Sequence, residues 1–382
     1  MKQKPASLDA IPITLIGHPW APIGMGEQLR SHVASLSALH LHHGVLDIFR
    51  YAARTDLAHD AIIGTRELFA PPDGIRIFHV NGDEVDPVIA AFEARGGVFD
   101  AGTNVIVPAW ELPAYPAAWV PALHRFDEVW ALSGFIQAGL AAAGLDSHLV
   151  GQSVQPLAGA TLPRRHFGIR ESAFVLLNFF DLSSYASRKN PEGVLALFDR
   201  LREADPYADI QLVLKVKDGE RGAETWARDT LAARGNTHQL LVLDRPLDTL
   251  GVRSLITACD CFISLHRAEG FGRGLGEAMA LGRLALGTDW SGSTDFLNQQ
   301  NGLPVRHRMR ALEPGDYPHW QDQHWAEPDI DHAASLLTPF LRDPVRGRTR
   351  ALRGQSDILH SHGNRATGLR MLAHLERIAA GG

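Results

Sequence analysis

Residues 261–296 read CFISLHRAEGFGRGLGEAMALGRLALGTDWSGSTDF. The run Asp260-Cys261-Phe262-Ile263-Ser264-Leu265 is short, apolar and of strand length. It ends in a loop holding Gly270, Gly272, Gly274 and Gly276, where missing Cβ atoms permit positive φ and let a ligand approach the backbone. Leu275, Met279 and Leu281, with Ala278 and Ala280 between them, then predict a helix packed tightly on a sheet. Its free N–H groups and positive dipole end face the loop and make an anion site, so a phosphorylated ligand is expected there. Two carboxylates flank the turn. Glu277 lies about one turn into the helix, where the dipole favours it, and Glu269 must point from the loop.

A glycine-rich strand-loop-helix occurs in any α/β sheet, and short motifs match by chance. Two phosphate motifs can be excluded by counting. The Gly-x-Gly-x-x-Gly pattern fails because its sixth position is Leu275 when started at Gly270 and Glu277 when started at Gly272. No Gly-x-x-x-x-Gly-Lys-Ser/Thr sequence occurs in the chain.

The combination His266-Arg267-x-Glu269-Gly270-Phe271-Gly272, Glu277-Ala278-Met279-Ala280-x-Gly282 and Thr288-x-Trp290-Ser291-Gly292-x-x-Asp295-Phe296 resembles the donor-site signature of family 4 retaining glycosyltransferases. The three pieces come in the family's order across residues 266–296, which is far more specific than the Glu-x7-Glu pair alone. The resemblance implies the GT-B fold, two Rossmann-like α/β domains facing across a cleft, with a nucleotide-sugar held mainly by the C-terminal one.

The resemblance also distributes roles. Glu269, Lys189 and Lys215 are the implied catalytic residues. Glu277, Arg188, Gly270, Phe271, Gly272 and Arg273 are placed on the donor nucleotide, with Glu277 at the ribose and Glu269 at the sugar. Gly24, Gly26, Asn81 and Glu111 are placed on the acceptor side or in a phosphate loop. No metal and no cofactor are expected beyond a nucleoside diphosphate sugar as substrate. Arg188 and Lys189 precede a helix that Pro191 helps to start, and cations there would neutralise a diphosphate. Relatives commonly carry an arginine several residues ahead of the lysine, where this chain has Ser183 and Ser184. Lys215 is read at the end of the strand Leu212-Val213-Leu214-Lys215, where a buried stem asks for a partner. Many relatives also have a histidine in the N-terminal domain that meets the donor sugar. Here the loops His79-Val80-Asn81-Gly82-Asp83-Glu84 and Val107-Pro108-Ala109-Trp110-Glu111 are expected to line the acceptor side, as in a bacterial polysaccharide-transferase subgroup.

The rest of the chain agrees with a two-domain α/β protein. At 382 residues it exceeds what one core usually serves. It is 45% hydrophobic and 21% charged, with a formal charge of −6, which gives no reason to expect a nucleic-acid partner. Strands are expected at Ile11 to Ile16, Gly44 to Phe49, Ile75 to Val80, Val105 to Pro108 and Glu128 to Leu132, with a helix from Glu27 towards Leu39. A second set follows at Phe174 to Phe180, Ile210 to Lys215, Leu240 to Leu243, Asp260 to Leu265 and Leu284 to Gly287, with helices from about Glu192, Glu224, Leu247 and Gly274. Strands alternating with helices argue for parallel sheets. The domains are read as residues 1–155 and 166–361, with Gln155 to Arg165 as linker and a C-terminal helix, about 362–382, returning to the N-terminal domain as in the GT-B fold.

Other features carry less. Cys259 and Cys261 are read on one face of a strand, too close to bridge, so a reducing cytoplasmic setting is expected. No apolar run reaches the ~20 residues of a membrane span. Contact with the inner membrane face stays open if the acceptor is lipid-linked. His40, His42 and His43 lack a carboxylate or cysteine at matched spacing and are read as surface histidines. Asp329-Ile330-Asp331 follows what reads as an acidic loop and is not taken as a metal clamp. The expected activity is transfer of a hexose, with mannose from GDP-mannose as the analogy, to a glycan or lipid-linked hydroxyl in bacterial polysaccharide assembly. The rivals are a nucleotide-sugar-binding protein without catalysis and an epimerase or phosphorylase of the same fold.

Overall fold

The computed structural model describes residues 8–182, 185–217, 222–234 and 238–381; Ser183 and Ser184 lie outside them. The chain divides into two compact units, Met1–Gln155 with His360–Gly382, and Pro156–Leu359.

In the first unit, β1 (Ile13–Gly17), β2 (Gly44–Asp47), β3 (Glu67–Leu68), β4 (Ile75–Phe78), β5 (Thr103–Ile106), β6 (Glu128–Ala131) and β7 (His148–Leu149) form a sheet in the order β3-β2-β1-β4-β5-β6-β7. Every pairing is parallel. β1 and β4 are buried along their whole length, as a sheet covered on both faces requires. The helix Gly24–Ser37 follows β1 and packs on the last helix, Asn364–Ala379. Close crossing of the two needs Gly368, because a Cβ there would meet the Ser35 carbonyl.

The second unit repeats the architecture. Here β8 (Phe174–Asp181), β9 (Ile210–Lys217), β10 (Leu240–Leu243), β11 (Cys261–Ser264), β12 (Leu284–Thr288) and β13 (Leu303–Val305) make a sheet ordered β10-β9-β8-β11-β12-β13. These pairings too are parallel. One face buries Leu176, Leu212, Leu214, Ile263 and Leu286 with Val194, Phe198 and Leu201 of the helix Pro191–Ala204 and Leu337 and Phe340 of the helix Ile330–Arg342. Each such burial contributes on the order of 2 kcal/mol.

In both sheets the chain moves outward one way from the first strand and then returns to its other side. The reversal falls between β1 and β4 in the first unit and between β8 and β11 in the second. At such a switch point the loops leaving two neighbouring strands part, and a ligand crevice forms beyond their carboxyl ends.

Several expectations need correction. β9 continues to Lys217, so Lys215 lies within the strand and not at its end. Cys259 is no strand residue but closes the helix Thr249–Ala258, its thiol donating to Ile256 O. Both thiols are free and buried, and burial pushes that of Cys259 up to about 12. Asp329 follows a strand after all. β14 (His307–Ala311) and β15 (His324–Pro328) form an antiparallel hairpin, after which Asp329 caps the helix Ile330–Arg342 by accepting from His332 N. That capping role accounts for Asp329, while Asp331 pairs with Arg200.

Candidate active site

The switch point of the second unit carries the predicted residues. After β8 the chain makes the short helix Ala186–Lys189, and Asn190, at φ 55°, caps the next helix by accepting from Gly193 N. The Asn190 amide also donates to Leu265 O at 3.0 Å, tying this turn to the end of β11. After β11, Glu269 is 8% exposed. Lys189 donates to its Oε1, and Arg188 Nη1 stands 3.2 Å from its Oε2. Burial raises the carboxyl, but the Lys189 and Arg188 charges outweigh burial and hold it at about 2. Sequence reasoning gave both cations to a diphosphate; the structure brings both to Glu269.

The Thr288–Phe296 part of the signature holds the Glu269 loop in place. Glu269 N donates to Ser291 Oγ at 2.9 Å and Gly292 N to Glu269 O at 2.9 Å. A Cβ on Gly292 would run into Gly270 O. His266 is fully buried between Ser264 and Trp290 O, 3.2 Å from its Nε2, and burial lowers its basicity. It is a neutral spacer between β11 and the Trp290 loop.

Gly272 caps the helix Arg273–Ala280 at φ 91°, a conformation that strains any other residue. Gly270 and Phe271 are buried beside it, with Phe271 packed on Phe296 at 5.3 Å between ring centroids. Along the helix, Arg273 Nε meets Glu277 Oε1 at 2.7 Å, so the ribose carboxylate of the sequence reading is steadied by its own helix. Lys215 is 9% exposed and donates to Val216 O at 2.7 Å. It shares its sheet face with Phe179, its partner on β8.

A layer the sequence did not signal lies behind these residues. Arg267 binds Glu327 of β15 through Nε at 2.8 Å and Nη2 at 3.1 Å, and its Nη1 reaches Ser187 O at 2.6 Å. Arg188 lies over the Tyr317 ring at 5.8 Å. The hairpin thereby supports the turn that carries both cations. Arg267 belongs to the signature, and a guanidinium beside a strand end could have been read as a bracket.

In the first unit the predicted residues are dispersed. Gly24 and Gly26 fall in the first turn of the helix Gly24–Ser37. A Cβ on Gly24 meets nothing within 4 Å, whereas one on Gly26 would lie 2.8 Å from His18 O. Asn81 forms a capping box with Glu84 and accepts from Ala109 N at 2.9 Å, so it joins the loops after β4 and β5. Glu111 is half-buried. The neighbouring Trp110 is buried, donating to Ala114 O and packed edge-on against Trp119. His79 is buried too, 2.9 Å from His32 Nδ1, and burial holds its basicity well below the ordinary value. His18, which the sequence reading gave no role, differs from the buried His79 pair in its partners, being joined to Glu84 and to two aromatic rings. It spans the β1/β4 switch point to Glu84 Oε1 at 3.1 Å and starts a stack of rings with Phe49 and the exposed Tyr51, each step 5.0 Å.

Two parallel sheets of this order are the architecture of the GT-B class of glycosyltransferases. Residues 177–306 match the family described as glycosyl transferases group 1. The second unit therefore carries a glycosyl transferases group 1 domain, and the protein is a glycosyltransferase. Solved structures agree in fold. HepE (Alr3699) of Anabaena, in complex with UDP and glucose, is 14% identical, covers 96% of this chain and 100% of its own, and superposes with a TM-score of 0.69. Sucrose-phosphate synthase from Thermosynechococcus elongatus gives 16%, 97%, 100% and 0.68. The lipopolysaccharide outer core galactosyltransferase WaaB in its apo form gives 15%, 96%, 100% and 0.59. No curated protein matches the sequence. Among the described residues no helix is long and apolar enough to cross a membrane.

Proposed function

We propose that the chain moves a hexose from a nucleoside diphosphate sugar to a hydroxyl of a glycan or lipid-linked saccharide, with retention of the anomeric configuration. The observation that carries this reading is the Glu269 carboxylate, held ionised between Lys189 and Arg188 at the β8/β11 switch point. A carboxyl held at about 2 gives up no proton near neutrality. It suits sugar hydroxyls that donate to it and the positive charge that grows on the ring. Lys189, its side chain 25% exposed, is the cation of the pair that a diphosphate arriving from solvent can reach.

In the proposed step the bond from the anomeric carbon to the diphosphate oxygen breaks and the electron pair stays on that oxygen. The acceptor oxygen bonds to the same face of the anomeric carbon, and its proton passes to the leaving phosphate. Lys189, Lys215 and the N–H groups at the start of the helix Arg273–Ala280 meet the negative charge, a role that asks for no divalent metal. Glu277, steadied by Arg273, receives the ribose. Acceptor binding falls to the first unit, where the loop after β1 with Gly24 and Gly26, the Asn81 and Glu111 loops and the ring stack ending on Tyr51 are available. The UDP and glucose bound by HepE support a nucleotide sugar, and the likeness to WaaB supports a bacterial polysaccharide setting. The cytoplasm, at the inner membrane face when the acceptor is lipid-linked, is the proposed place of action.

The test is a thermal-shift panel of UDP- and GDP-sugars, GDP-mannose included, followed by NMR of the product with each donor that stabilises. Stabilisation grows with affinity, and an axial donor should give an axial product. Inversion would end the retaining assignment, and the absence of a shift with every donor would end the nucleotide-sugar reading.

A further inference from the structure

A second cluster lies in the first unit, apart from every residue given a role in transfer. Trp130 of β6 is in register with His148 of β7, so both side chains and that of Glu128, two residues earlier, rise from one face at the end of the sheet. His374 and Arg377 descend onto it from the helix Asn364–Ala379, three residues apart and therefore on one side of that helix. Glu128, His148 and His374 each offer a ligand atom, and these atoms all lie within 4.8 Å of one another.

The three atoms already converge on one point. Arg377 Nη2 sits there, 2.7 Å from Glu128 Oε1, 2.7 Å from His148 Nε2 and 3.1 Å from His374 Nδ1. A guanidinium nitrogen of that kind has only two hydrogens to offer three acceptors. A carboxylate and two imidazole lone pairs around one position form a donor set better matched to a metal cation than to an N–H group. We propose that Glu128, His148 and His374 form a zinc site that joins the last helix to the β6–β7 edge, and that Arg377 occupies the ion's position when zinc is absent.

The remaining features fit this assignment. Moving ligand atoms from 2.7–3.1 Å to the about 2.0–2.2 Å of zinc bonds asks for a small contraction, with water as fourth ligand. Arg377 is 42% exposed at its side chain and can swing into solvent. Trp130 Nε1 holds the other Glu128 oxygen at 2.8 Å, the kind of outer contact that orients a ligating carboxylate.

The experiment uses the full chain, freed of metal by a chelator and dialysed, with zinc titrated against a chromophoric competitor. The proposal expects one zinc per chain, a visible tetrahedral spectrum when cobalt replaces it, and a higher melting temperature. His374→Gln and His148→Gln should weaken zinc about hundredfold or more, and Arg377→Met should tighten it about tenfold by removing a charge-assisted competitor. Circular dichroism checks that the variants fold, and if the histidine variants do not, the gain in Arg377→Met still carries the test. The proposal is overturned if neither wild type nor Arg377→Met binds zinc at micromolar concentration, or if both folded histidine variants bind as wild type does. In the latter case the ion belongs to surface histidines such as His40 and His42.

Discussion

Lys189 donates its ammonium hydrogens to the carboxylate of Glu269, a residue 80 positions later that leaves the neighbouring strand. The contact closes the gap between the loops after β8 and β11, and Arg188 completes it from the buried side. Removing the carboxylate leaves two cations facing each other with little water. Glu269→Gln should therefore lose about 3 kcal/mol of stability and roughly a hundredfold or more in turnover. Lys189→Met should melt closer to wild type, because its side chain reaches solvent, while losing transfer to a similar degree. Chemical denaturation and donor turnover measured on both variants check this. Full activity in Glu269→Gln would remove its assigned role.

The same pair sets an acid limit. Burial alone would raise the Glu269 carboxyl, but Lys189 and Arg188 bring it from its ordinary 4.5 down to about 2 in the folded protein. A depressed carboxyl stabilises the fold fully above the unfolded value and loses that contribution as pH falls through the folded one. A fall of this size corresponds to about 3 kcal/mol. The stability gap between wild type and Glu269→Gln should be widest above pH 4.5 and close as pH falls towards 2. Urea midpoints of both proteins across that range measure the gap, and a gap independent of pH would contradict the ion pair.

Two glycines separate backbone need from ligand need. Gly272 sits at φ 91° with a Cβ position 2.9 Å from Ser293 Cβ, so Gly272→Ala should cost about 2–3 kcal/mol and abolish activity with it. Gly24 has open space around its Cβ position in a helical turn, and Gly24→Ala should leave stability unchanged or raise it by about 0.5 kcal/mol. Loss of transfer in a fully stable Gly24→Ala protein would mark a ligand lying against that backbone. Wild-type kinetics would dismiss the phosphate-loop role.

How much of this was legible depended on where each signal lay. β10 is legible at its observed bounds, and β11, between a helix and a glycine turn, to within one residue at each end, because an apolar run this short, closed off by polar or glycine-rich flanks, is too short for a helix. β3 and β7, each two residues long, hold too few residues to show a period. β14 reads His-Arg-Met-Arg-Ala and is half-exposed, so neither apolar alternation nor a tight turn marks it. The convergence of Arg188 on Glu269 was hidden for another reason. It arises from two loops brought side by side by the β8/β11 adjacency, and local pattern carries no information on which loops become neighbours. Zinc-type spacing failed in the same way, since Glu128, His148 and His374 come from three separated elements.

The hairpin gives the last prediction. Arg267 holds Glu327 through two nitrogens and Ser187 O through a third, while its backbone N–H reaches Arg188 O and its carbonyl accepts from Ala326 N. Lysine can replace the charge but not the planar fork. Arg267→Lys should therefore keep the fold, lose about 1–2 kcal/mol and raise the donor KM about tenfold, because the turn carrying Arg188 and Lys189 loses its bracket. Glu327→Gln should act in the same direction. In a double-mutant cycle the pair should show about 1–3 kcal/mol of coupling. Additive losses, or a KM that stays at the wild-type value, would show that the hairpin supports the fold without positioning the cations.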